Sequence, residues 1–141
     1  MTYLLDTNVI SESIRKKPND YVKRFLQETP PHLLFLSVFS VAEIRKGIAQ
    51  LHDTDAKKQH LTKWLENDLN SFFSGRMIAF DHIVADKWGF MVGRINRPVA
   101  TMDSLIAAIS FTHNLKLVTR NVKDFEIYPI EVFNPWDNYS A

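Results

Sequence analysis

Five short apolar runs recur along the chain, at residues 3–5, 33–36, 77–80, 115–119 and 130–133, with longer stretches of helical period between the first four. A brief apolar run bounded by turn residues reads as a buried strand, whereas apolar positions three and four apart mark one face of a helix. This alternation limits the fold. Strands joined through helices pair in parallel by right-handed crossovers, and the helices cover both faces of the sheet. An α/β domain with a mostly parallel sheet is therefore expected. No repeat, low-complexity segment or linker divides it, so residues 1–141 read as one domain.

The local signals agree. Tyr3, Leu4 and Leu5 stop at Asp6-Thr7-Asn8, and Val9, Ile10 and Ile14 then fit a helix face. Asn19 or Asp20 is placed to cap a second helix through about Glu28, and Pro30-Pro31 forbids its continuation. After the second strand, Ser37 or Ser40 begins a helix with Val41, Ile44, Ile48 and Leu51 on one side. A joint at residues 53–55 precedes a longer helix carrying Leu61, Trp64, Leu65, Leu69 and Phe72 and ending near Ser74-Gly75. Asp81 caps a helix with Val84, Trp88, Met91, Val92 and Ile95. Thr101-Met102-Asp103 opens another, with Asn114 as a left-handed cap. Residues 120–125 read as a turn or short helix, and the polar tail from Asn134 is expected to fray, with Trp136 as a possible anchor.

Composition removes several kinds of chemistry. With 141 residues the chain can bury about 68–70% of its unfolded surface. It has no cysteine, which excludes disulfides, thiolate zinc sites and cysteine nucleophiles and agrees with a reducing, cytoplasmic compartment. A net charge of +1 gives no bulk signal for nucleic acid, so local charge must carry any such signal. Neither a signal peptide nor a membrane-spanning run is expected. The five histidines form no HExxH, and P-loop, GxGxxG and GxSxG patterns are missing.

What remains is acidic. Asp6 ends the first strand, Glu43 lies in the helix after the second, Asp103 opens the helix before the fourth, and Asn121 and Asp124 follow the fourth. The carboxyl ends of parallel strands share one edge, where ligands bind in open α/β sheets. Each residue also has a purely structural use. Asp6 can cap a helix, Ser40 to Glu43 matches a capping box, Asp103 suits a helix's first turn, and Asp124 suits a local turn. Glu12 is expected on a solvated helix face. If the acids converge, two carboxylates ~4 Å apart repel by about 4 kcal/mol at an effective dielectric of 20. They then require a cation or a proton. Oxygen ligands without cysteine suit Mg2+, or Mn2+, and that chemistry serves phosphodiester hydrolysis.

Taken in order, LLDTNVISE, SVFSVAEIRKGI, MDSLIAAISF and LVTRNVKDF resemble the PIN domain, and more narrowly the VapC and FitB toxin ribonucleases of type II toxin–antitoxin pairs. The resemblance covers nearly the whole chain. It implies a three-layer α/β/α sandwich with a five-stranded, mostly parallel sheet, and a homodimeric Mg2+- or Mn2+-dependent endoribonuclease. It implies a cognate VapB- or FitA-like antitoxin that blocks the site and carries the contacts with operator DNA. Family acidic positions fall on Asp6, Glu43 and Asp103, which would hold the ion. The fourth falls on Asn121, which brings no charge, so Asp124 is a candidate to compensate. Glu43 is expected to orient or deprotonate the attacking water. Thr119 and Arg120 are expected to position RNA, with Arg45 and Lys46 as further phosphate candidates. Three alternatives remain at this level: a non-catalytic RNA- or protein-binding module, a DNA-directed nuclease and a structural dimer partner.

Overall fold

The computed structural model describes residues 1–137. Five strands form one sheet in the order β3-β2-β1-β4-β5, and every neighbouring pair is parallel. They are β1 (Tyr3–Leu5), β2 (Leu34–Ser37), β3 (Met77–Ile78), β4 (Lys116–Val118) and β5 (Val132–Phe133). Between β1 and β2 lie α1 (Thr7–Ser13) and α2 (Asp20–Glu28). Between β2 and β3 lie α3 (Val38–Ala49) and α4 (Ala56–Lys63), the latter running on through a π-helical stretch (Trp64–Leu69) into α5 (Asn70–Phe72). Next, α6 (His82–Gly93) and α7 (Thr101–His113) lead to β4, and α8 (Val122–Phe125) leads to β5.

Alternation along the strands sorts the core into two halves. On one face Leu5, Leu34, Leu36 and Val118 meet Val9 and Ile10 of α1, Val22 and Phe25 of α2, Ile44 and Ile48 of α3, and Leu65 and Leu69. On the other, Leu4 and Leu117 meet Val84 and Met91 of α6, Ile106 and Ile109 of α7, and Phe125. The expected sandwich is therefore present. Its strand limits are tighter than the apolar runs: Pro31 starts a 3-10 turn (Pro31–Leu33) that delays β2, and β3 stops two residues before Phe80.

The local caps form as their side chains allow. The Asn19 side chain accepts from the Tyr21 and Val22 amides, and Asp81 accepts from Val84. Asn114 takes the left-handed conformation, at φ 53°. In the tail, the anchor that the sequence suggested at Trp136 forms. Trp136 is half-buried against the first core, and its amide is fixed by Asn134 Oδ1 at 2.9 Å. Fraying expected beyond Asp137 lies outside the described residues.

β1 is central, and chain order runs outward from it in both directions. The crossovers diverge between β1 and β4, which makes that boundary the switch point where an open sheet leaves a crevice.

Candidate active site

The registers Leu5 with Leu36 and Leu5 with Val118 bring the next residues, Asp6, Ser37 and Thr119, to the same carboxyl edge. Asp6 is buried and serves two structures at once. Its Oδ1 accepts the Thr7 amide at 2.8 Å and so caps α1, while its Oδ2 accepts the Thr119 hydroxyl at 2.7 Å. Thr119 is fully buried and uses all its bonding capacity. Its oxygen also accepts Asn8 Nδ2 at 3.2 Å and the Asn121 amide at 3.1 Å. Asn8 Oδ1 in turn accepts the Arg120 amide at 3.4 Å. Side chains thus continue the β1–β4 pairing past the ends of the strands.

Glu43 reaches the same place from the other side. Ser37, not Ser40, caps α3, by accepting the Ser40 amide. The capping box suggested by Ser40 and Glu43 does not form, and Glu43 stands in the second turn with its carboxylate free to face α1. Thr7 Oγ1 lies 2.8 Å from Glu43 Oε1 and 3.0 Å from Ser40 Oγ. An ionised carboxylate only accepts, so Thr7 gives its one proton to Glu43 and receives one from Ser40.

Asp103 arrives by a third route, in the first turn of α7. That turn is held by Ser104, whose hydroxyl donates to Thr101 O at 2.6 Å and accepts Trp88 Nε1 of α6 at 2.9 Å. Asp103 itself has no hydrogen bond or ion pair among the described residues. It shares a cavity of about 420 Å3 with Asp6, Thr7, Asn8, Glu12, Glu43, Arg120, Asn121 and Trp136.

Electrostatics mark the cavity as short of positive charge. Burial, then the charges of Asp124, Asp6 and Glu43, push the Asp103 carboxyl above its ordinary value. Burial also raises Asp6, against the bonds from Thr119 and Thr7, and Asp124 adds to the rise. Asp124 thus acts on the site by its charge, whereas Asn121 lines it.

Among the described residues no group of three Asp, Glu or His side chains could hold a metal ion as it stands. The donors therefore do not form a closed cage. They fit a hard ion that keeps several waters and meets one or two carboxylates directly, as Mg2+ does.

The structure gathers Asp6, Glu43, Asp103, Asn121 and Arg120 around one cavity, with Thr119 directly behind Asp6. It does not bring Arg45 or Lys46 there; Arg45 pairs instead with Glu66 at 3.6 Å. Glu12 departs from its expected solvated position. It is buried, lines the cavity, and accepts the Asn19 amide at 2.8 Å and Arg15 Nη1 at 3.2 Å. Although burial opposes its charge, the Asn19 amide and Arg15 outweigh that and hold its carboxyl below the ordinary value. Thr7, Asn8, Ser40 and Trp136 were not expected among the site's residues. For Thr7 and Asn8 a signal was present in their position directly after Asp6.

The family model for the PIN domain matches residues 3–129. The chain is 37% identical to Toxin FitB of Neisseria gonorrhoeae over 136 residues, which is 94% of this chain and 97% of that protein. It is 27% identical to VapC ribonuclease Y4jK of Sinorhizobium fredii, over 95% of this chain and 97% of that protein. Among solved structures, FitAB bound to an IR36 DNA fragment superposes with a TM-score of 0.89 at 34% identity, covering 99% of each chain.

Proposed function

The chain belongs to the PIN-domain family, and from that premise we propose that it is the toxin of a type II toxin–antitoxin pair, an endoribonuclease that hydrolyses RNA phosphodiester bonds with a divalent cation. The observation that carries this reading is the single cavity at the β1–β4 switch point into which Asp6, Glu43 and Asp103 converge from three separate segments. A similar chain named VapC ribonuclease supports RNA as the substrate.

Asp6 and Asp103 would hold Mg2+ or Mn2+, with Glu43 beside them. When bound, the ion supplies Lewis acidity toward the phosphate and charge to offset the acids. Glu43, held by Thr7, orients the attacking water and takes its proton. Thr119 keeps Asp6 turned toward the cavity, and Asn121 presents an amide at its rim. Arg120 meets the RNA backbone.

The similarity to FitB, and the structural match to FitAB on DNA, support a FitA-like antitoxin that silences the site and carries operator contacts. They also support a homodimer within a larger complex. No helix of the described residues is long and apolar enough to cross a membrane, and we place the protein's work in the cytoplasm.

The test is RNA cleavage by purified protein with Mg2+, with excess EDTA, and in the Asp103→Asn variant. Cleavage that is lost in the last two supports the reading. Cleavage that persists in EDTA or in folded Asp103→Asn protein overturns the metal assignment. RNA binding without cleavage favours the non-catalytic module that uncharged Asn121 raises as an alternative.

A further inference from the structure

The cavity has one wall of which the hydrolysis uses only the charge of Arg120. Among its described lining residues Arg120 is the sole cation and Trp136 the sole aromatic ring. The two are stacked, with the guanidinium carbon 5.4 Å from the ring centroid.

Each half of the pair is anchored in the fold. Arg120 follows fully buried Thr119, and its amide is held by Asn8. Trp136 follows buried Pro135, its amide is held by Asn134, and its ring rests partly against the first core. The Arg120 side chain is exposed. One planar cation therefore lies over one fixed ring at the mouth of an acid-lined cavity. A lone phosphate contact requires only the charge. An indole beneath that charge adds a flat apolar surface, which phosphate does not need and a base does.

We propose that Trp136 and Arg120 form the seat of an unpaired base beside the scissile phosphate. This rests on the ribonuclease reading above. A paired base keeps both faces inside its duplex, whereas an unpaired one can stack on an aromatic or guanidinium plane. Trp136 supplies the fixed plane, and Arg120 either covers the base or swings toward its phosphate. The neighbouring acids repel phosphate, so stacking also gives the strand a hold that does not depend on its charge.

The test measures binding separately from cleavage. A fluorescent single-stranded RNA oligomer of mixed sequence is titrated with Asp103→Asn protein in Mg2+, beside a ribose-phosphate oligomer of equal length that lacks bases. Adding Trp136→Leu is expected to weaken RNA binding roughly five- to hundredfold and to leave the baseless oligomer unchanged. Trp136→Phe keeps a smaller ring and falls between, which preserves the test if the leucine variant melts. Arg120→Leu weakens both oligomers because it also removes charge. Equal effects of the Trp136 variants on the two oligomers, or no effect on either, overturn the seat. If the wild-type protein cleaves RNA under that outcome, the ribonuclease reading stands without it. Base-dependent loss in a protein that never cleaves overturns the ribonuclease reading and keeps the seat.

Discussion

Asp103→Asn is expected to make the ion-free protein more stable. The carboxyl is half-buried, makes no hydrogen bond among the described residues, and faces the charges of Asp124, Asp6 and Glu43. Like charges a few ångströms apart across a cavity repel by on the order of 2 kcal/mol each at an effective dielectric of 20. Partial exposure and salt reduce the total several-fold, to on the order of 1–2 kcal/mol. Losing a first-turn charge from α7 gives back ~0.5 kcal/mol. The net gain of ~1 kcal/mol raises the melting temperature by about 2–4 °C for a chain of this size. The pH dependence has a definite sign. Asp103 binds its proton more tightly folded than unfolded, so the wild-type protein recovers as pH falls through the raised value. The variant's advantage is gone below the ordinary value of 3.8. Mg2+ should reverse the order, because an ion at a hundredfold over its Kd stabilises the wild type by about 2.7 kcal/mol. Thermal unfolding followed by circular dichroism, first in EDTA and then in Mg2+, measures both effects. A variant that melts at or below wild type in EDTA, or that gains as much from Mg2+, refutes the account of a cavity held unfavourable until a cation enters.

Thr119→Val removes the hydroxyl that donates to Asp6, leaves the Asn121 amide without its acceptor, and leaves Asn8 Nδ2 only the longer bond to Asp6 Oδ2 at 3.4 Å. It should cost about 1–3 kcal/mol in denaturant unfolding and move the acid limb of the pH–rate profile upward. Thr7→Val strips the donor from Glu43; kcat should fall about tenfold at little change in KM, measured on a fixed RNA substrate. Glu12→Gln should lower stability by about 1 kcal/mol near neutral pH. Because the folded carboxyl is held below its ordinary value of 4.5, that stability is present above 4.5 and is lost as pH falls through the folded value, where urea titrations of variant and wild type should converge.

All five strands were legible because strands of a parallel sheet are covered on both faces and read as unbroken apolar runs. Their ends were less so, since Leu33 and Phe80 extend apolar character past the hydrogen-bonded ladder. The π-helical stretch at Trp64–Leu69 left no mark, because over a single turn its apolar spacing matches that of an α-helix. At the site, Asp6 and Asp103 stood out by position alone. Glu43 needed the resemblance, because Ser40 offered it a local partner that the Ser37 cap displaces. Glu12 was misjudged for a related reason. Its main partner is the amide of Asn19, seven residues on across a turn, which helical periodicity does not register. The Thr7–Glu43 and Thr119–Asp6 bonds span 36 and 113 positions, so only the folded sheet brings them together.

The three acids differ in what else depends on them, and this decides which variant isolates the chemistry. Asp6 accepts on both oxygens, from an amide that begins α1 and from a hydroxyl that already accepts two other donors. An asparagine there must turn an N–H toward one of those donors, so Asp6→Asn disturbs the β1–β4 junction as well as the charge. Glu43 is tied by a single hydroxyl, and its amide variant can still accept that proton. Asp103 is tied by nothing among the described residues, and the turn that carries it is held by Ser104 and Trp88 instead. Loss of cleavage in Asp103→Asn therefore reports on the ion and the phosphate, whereas the same loss in Asp6→Asn leaves fold and chemistry entangled.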